Sequence, residues 1–291
     1  MSGYMLFWFC IVTLIEFTIM LFSSCNFVMF WMLLELCSLV LTPLFFIRSN
    51  NTAVLSGLFH YLMACGVSSL LIISGVIFPG CMSLMVLGLL IKFNIFPFLG
   101  WLYNIGSVKS WDVLLGLSTM LKAPFYVFPL VAAGVSEDII FTLCGISLMV
   151  VSVLFWIHTT SWHMCWCHMM VSSSVTLVII ACVQGVEIVA FYYLTYVLWC
   201  CVSVFVLSRM GPHKPAVCGP VSLFFYCLNF LSTPLSLVIV YKLLLCSCML
   251  TVNYVLIVGW IIYTISEQGY LFVLLVGKHV PRSSLSLKRY I

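Results

Sequence analysis

Apolar runs of about twenty residues follow one another from Tyr4 to Val276 with only short polar breaks between them. A helical bilayer crossing takes about 20 apolar residues, whereas a transmembrane strand takes about ten of alternating character. Runs this long read as helices, because in lipid only a helix or a closed barrel satisfies every backbone group. Composition agrees: 65% of the 291 residues are hydrophobic and 6% charged, with a mean hydropathy of +1.28. A soluble domain carries about 25% charged residues. The expectation is an all-α polytopic membrane protein, a single transmembrane domain over 1–291. It has ten crossings, near 4–22, 27–47, 53–78, 81–102, 112–133, 139–158, 168–184, 187–208, 217–245 and 250–276. The ninth contains Pro234 and reads as broken or tilted. No basic n-region precedes Tyr4 and no small-residue cleavage site follows, so no signal peptide is expected. The fifteen cysteines lie mostly within crossings and form no disulfide framework.

The eleven basic residues give the orientation. With ten crossings, Arg48, Lys109, Arg209 and Lys214 fall in links on the side of the N-terminus, with Lys278, Arg282, Lys288 and Arg289 in a basic tail over 277–291. The opposite links carry Glu137, Asp138 and Glu187 and no Lys or Arg. The positive-inside rule then puts both termini on the electrically negative side, the cytoplasm or the mitochondrial matrix. Such a tail suits acidic cardiolipin head groups or a partner subunit, and its charge is too local for nucleic acid.

Three lysines remain, Lys92, Lys122 and Lys242, and all three sit inside crossings together with Glu35. A charge at mid-bilayer costs about 2.5–3.5 kcal/mol, and intramembrane ionisable residues mark ion or proton routes. These four must be paired, hydrated or neutralised. A buried lysine yields its proton more readily than a solvated one, which suits a relay. Proline removes a backbone donor and breaks a helix, and transporters place broken helices at mid-depth. Lys92 lies five residues before Pro97, and Lys242 eight after Pro234. One lysine-bearing broken crossing in each half suggests inverted repeats over about 4–133 and 139–276. Glu16 and Glu267 also fall within crossings and read as ordinary helix residues.

At these residues the chain resembles the family of NADH dehydrogenase subunit 2, the antiporter-like membrane subunit of respiratory complex I. "FSSCNFVMFWMLLELCSLVLTPL" (22–44), "LLIKFNIFPFLGW", "LSTMLKAPF" (117–125), "VSSSVT" (171–176) and "LSTPLSLVIVYK" (231–242) resemble its motifs in order. The resemblance implies that Glu35 and Lys92 form an acid–lysine pair, with Lys122 central and Lys242 distal on a hydrated proton path. It implies inverted five-helix repeats with broken helices at Pro97 and Pro234. The ten crossings match the shortened animal mitochondrial form, which implies the mitochondrial inner membrane with both termini in the matrix. The implied activity is proton translocation within NADH:ubiquinone oxidoreductase, coupled to redox chemistry elsewhere in the complex. The implied partners are other membrane-arm subunits, including neighbouring antiporter-like ones. The departures are Asn94 for the family's glycine, Leu99 and Leu177 for histidines, and His168 for a lysine, so His168 is a possible relay or a loop histidine. A stand-alone cation/proton antiporter and a non-pumping scaffold subunit remain as alternatives.

"WHMCWCH" (162–168) lacks the spacing of a metal site and reads as an interfacial belt, with Trp162 and Trp166 at headgroup level. The chain contains no nucleotide-binding glycine motif and no iron–sulfur cysteine set. Cofactors in this chain are expected to be none, with NADH, FMN, clusters and ubiquinone used by the whole complex.

Overall fold

A computed structural model describes residues 3–24, 26–47, 52–129, 137–210, 220–234, 236–249 and 254–279. Arg48, Lys214 and the tail from Val280, including Arg282, Lys288 and Arg289, lie outside them, so five of the eight basic residues behind the orientation are not placed.

The described residues form helices and no strands. In chain order these are α1 (Gly3–Phe22), α2 (Phe27–Leu41), α3 (Thr52–Ile77), α4 (Met82–Lys92), α5 (Gly100–Val108), α6 (Trp111–Thr119), α7 (Glu137–Ile157), α8 (Trp162–Val183), α9 (Val186–Arg209), α10 (Pro220–Phe230), α11 (Leu237–Met249) and α12 (Tyr254–His279). Among the described residues, seven helical stretches are long and apolar enough to cross a membrane. The other three of the ten expected crossings run in pieces: α4 with α5, α6 with the tighter 3₁₀ segment Met120–Val127, and α10 with α11. The chain is an all-α polytopic membrane protein.

Prolines set the breaks. Pro43 ends α2 in a 3₁₀ turn over Thr42–Phe46. Between α4 and α5 the chain turns at Asn94, whose φ of 57° lies in the left-handed region, and passes a cis Phe96–Pro97 bond. The freed backbone groups find other partners there, as an apolar surrounding requires. Phe96 N donates to Ser147 Oγ of α7 at 2.9 Å, and Trp101 Nε1 donates to Ile91 O at 3.2 Å. The break at 231–236 is closed by one side chain: Gln268 Nε2 donates to Phe230 O at 3.1 Å while its Oε1 accepts from Ser232 N at 3.0 Å. Pro124 sits inside the 3₁₀ segment after α6, a third interruption that was not expected.

Helix α8 is the centre of the bundle. Of its 18-residue apolar window 89% is buried, against 22–39% for the other six candidate crossings. A helix apolar all round belongs inside other protein, and its hydroxyl run Ser172–Ser174 with Thr176 is buried too. It starts at Trp162 rather than at 168, because Ser161 caps it by accepting from Met164 N. That earlier start overturns the belt reading of Trp162 and Trp166. Both are buried, Trp166 against Trp199 at 5.4 Å between ring centroids and Trp162 against Tyr226 at 5.8 Å. Charge is segregated along α9, with Glu187 in its first turn and Arg209 in its last, the arrangement that complements the helix dipole.

Candidate functional site

Two of the sequence-picked lysines occupy a helix interruption or its edge, and the third lies in the second turn of the helix that follows one. Lys92 is the last residue of α4, where the chain leaves the helix. Its Nζ stands 3.1 Å from Glu35 Oε1 of α2, the lysine side chain 5% and the glutamate side chain 26% exposed. The expected pair therefore exists, with its acid on the more open flank. Close packing positions it: α4 lies against α3 so tightly that a Cβ on Gly88 would meet Ser68 O at 2.6 Å. Small residues are what let two membrane helices approach this far.

Lys122 lies in the 3₁₀ segment and is buried. An ammonium has three protons to donate, and all three are used. Nζ donates to Met170 O at 2.8 Å, to Tyr196 OH at 3.0 Å and to Ser173 Oγ. It also sits 4.7 Å from the Tyr196 ring centroid, within cation–π range. No carboxylate pairs with it among the described residues. Its partners are dipoles, supplied by α8 and α9.

Lys242 begins the second turn of α11, and its Nζ is 3.2 Å from Glu267 Oε2 of α12. This corrects the reading of Glu267 as an ordinary helix residue. Twenty-five positions separate the two in sequence, and only the packing of α12 on α11 brings them together. Glu16, read the same way, is exposed on α1.

Between Lys122 and Lys242 lie two separate clusters of hydroxyls that sequence reading missed. Ser173 Oγ donates to Tyr196 OH at 3.2 Å. One turn on, Thr176 Oγ1 lies 3.1 Å from Tyr192 OH, which donates to Tyr241 OH at 2.6 Å. Tyr241 precedes Lys242. A cavity of about 20 Å³ touches Ser172, Ser173, Thr176, Lys242, Tyr263 and Glu267, room for one water molecule by the usual threshold of about 10–15 Å³. Hydroxyls donate and accept at once, so this constellation can hand a proton along. The serine run of "VSSSVT" was the available signal, but nothing in it pointed to Tyr192, Tyr196 or Tyr241, which come from other helices.

His168 is fully buried in the second turn of α8, not in a loop. Its Nδ1 is 2.9 Å from Tyr103 OH, and no described contact joins it to Lys122. Leu99 and Leu177 are packed into the apolar core. Pro97 and Pro234 lie in the two breaks. His163 stacks on Trp111 at 4.0 Å between centroids and Cys167 Sγ donates weakly to Leu102 O, so the "WHMCWCH" residues disperse into the packing.

No protein-family model matches the sequence, and no curated protein matches it. Among solved structures, the chain superposes on one from respiratory complex I of Thermus thermophilus, determined with bound aureothin, at a TM-score of 0.77. The match covers 95% of this chain and 71% of that one at 18% identity. The likeness shows a shared fold.

Proposed function

We propose that this chain is a proton-conducting membrane-arm subunit of a complex I-type NADH:quinone oxidoreductase, corresponding to subunit 2 of the mitochondrial inner-membrane enzyme. One observation carries the reading: three lysines inside the apolar bundle, at or within two turns of helix interruptions, each hydrogen-bonded to an acid or a hydroxyl. Buried charges of this kind are costly and mark proton or ion routes. A spacer subunit would be more stable with leucine at all three positions. The shared fold with a complex I chain supports the assignment.

In this reading the proton route runs from Glu35–Lys92 through Lys122 to Lys242–Glu267. Between the last two, the Ser173–Tyr196 and Thr176–Tyr192–Tyr241 hydrogen bonds and one water take the place of imidazoles. His168, with Tyr103, is a side branch. The breaks before Pro97 and Pro234 belong one to each of two inverted repeats, over about 4–133 and 139–276. Both termini face the matrix, and neighbouring antiporter-like subunits and cardiolipin flank the chain. NADH oxidation and quinone reduction occur in other subunits, and no redox group resides here. The test is Lys92→Met in the assembled complex. Proton pumping per NADH falls while the complex still assembles. Unchanged stoichiometry with Lys92→Met would remove the proton role and leave a scaffold.

A further inference from the structure

Helix α1 turns Cys10, Leu14, Thr18 and Leu21 into the bundle. Its other face is an apolar stripe of Tyr4, Trp8, Val12, Ile15 and Ile19, all at least 41% exposed. Glu16 lies in that outward stripe and is exposed. Among the described residues no ion pair or hydrogen bond reaches its carboxylate. The other in-span charges, Glu35, Lys92, Lys122, Lys242 and Glu267, all have partners inside the chain.

Depth makes this exposure costly. Glu16 is six residues from the end of α1 at Phe22, about 9 Å along the axis. Helical side chains lean toward the helix N-terminus, so with α1 spanning the bilayer from end to end the carboxyl is carried away from the head groups at its nearer end. An acid facing lipid at that depth is strongly disfavoured.

We infer that the outward face of α1 is covered by a transmembrane helix of a different polypeptide, which presents a basic or other hydrogen-bond-donating side chain to Glu16. A second copy of this chain does not complement it. Two α1 helices face to face would oppose carboxylate to carboxylate, and the in-span lysines of a copy are already engaged. The inference rests on the chain crossing a membrane, not on the proton role.

Dicyclohexylcarbodiimide, an apolar reagent for membrane carboxylates, tests it on the native protein. Intact source membranes and detergent-dissociated chain are treated in parallel, and modification of Glu16 is read by peptide mass spectrometry. The expected result is protection in the membrane by about fivefold or more, the scale of an interhelical polar contact, lost on dissociation. If the opposing donor is an amine, a zero-length cross-link from Glu16 to a peptide of another polypeptide identifies the partner. Equal modification in both samples, or a cross-link to a second copy of this chain, overturns the inference. Either protected outcome stands whether the partner belongs to complex I or not, and the co-migrating proteins on a native gel decide that separately.

Discussion

Replacing Glu267 with glutamine leaves Lys242 in the bundle beside a neutral amide, with the lysine side chain only 15% exposed. Removing one member of a buried pair costs about 3–5 kcal/mol, while removing both with apolar or neutral groups is often close to neutral. Glu267→Gln therefore lowers the unfolding temperature of the purified complex, and adding Lys242→Met restores most of it. Proton transport stays low in both variants if the pair is on the route. Recovery of transport in the double variant would take Lys242 off it. Asn94 poses a backbone question instead. At φ 57° a branched residue is strained by about 1–2 kcal/mol, while glycine is not and asparagine is tolerated. Asn94→Gly should be silent in stability and transport, and Asn94→Val should lower the melting temperature.

Helix α4 positions Lys92 through its contact with α3. A side chain on Gly88 would clash with Ser68 O and with Ile72 Cγ1 at 2.8 Å, and overpacking of this kind costs about 1–3 kcal/mol. Gly88→Val should therefore weaken both stability and proton transport, since α4 moves as a unit and carries Lys92 from Glu35, though no charge has changed. Gly66, on α3 with open space around it, is the control. Gly66→Val leaves thermal stability within about 0.5 kcal/mol, as surface changes do. Intact transport in Gly88→Val would mean that the Glu35–Lys92 distance does not matter. At this scale the sequence showed where helices break, because Pro97 and Pro234 carry the signal in their own chemistry. Pro124 carries it too, in "LKAPF", and the 3₁₀ segment around Lys122 followed from it unrecognised. The sequence puts the start of α8 six residues late, since "WHMCWCH" reads as an interfacial belt at headgroup level when its surroundings are protein.

For the whole molecule, mild-detergent extracts of the source membrane should carry this chain in a multi-subunit band that oxidises NADH. Migration alone or as a small homo-oligomer would favour a free-standing antiporter. The amino-acid sequence by itself determined the class of solvent, the helical crossings and the three lysines with Glu35, because hydropathy, proline and buried charge are properties of single residues and short runs. Only the tertiary structure decided that α8 lies at the centre. It alone joined Glu267 to Lys242 across 25 positions and placed the Tyr192, Tyr196 and Tyr241 hydroxyls between two lysines. Those relations depend on which helix faces meet, and the periodicity that would announce a face is absent when a helix is apolar all round.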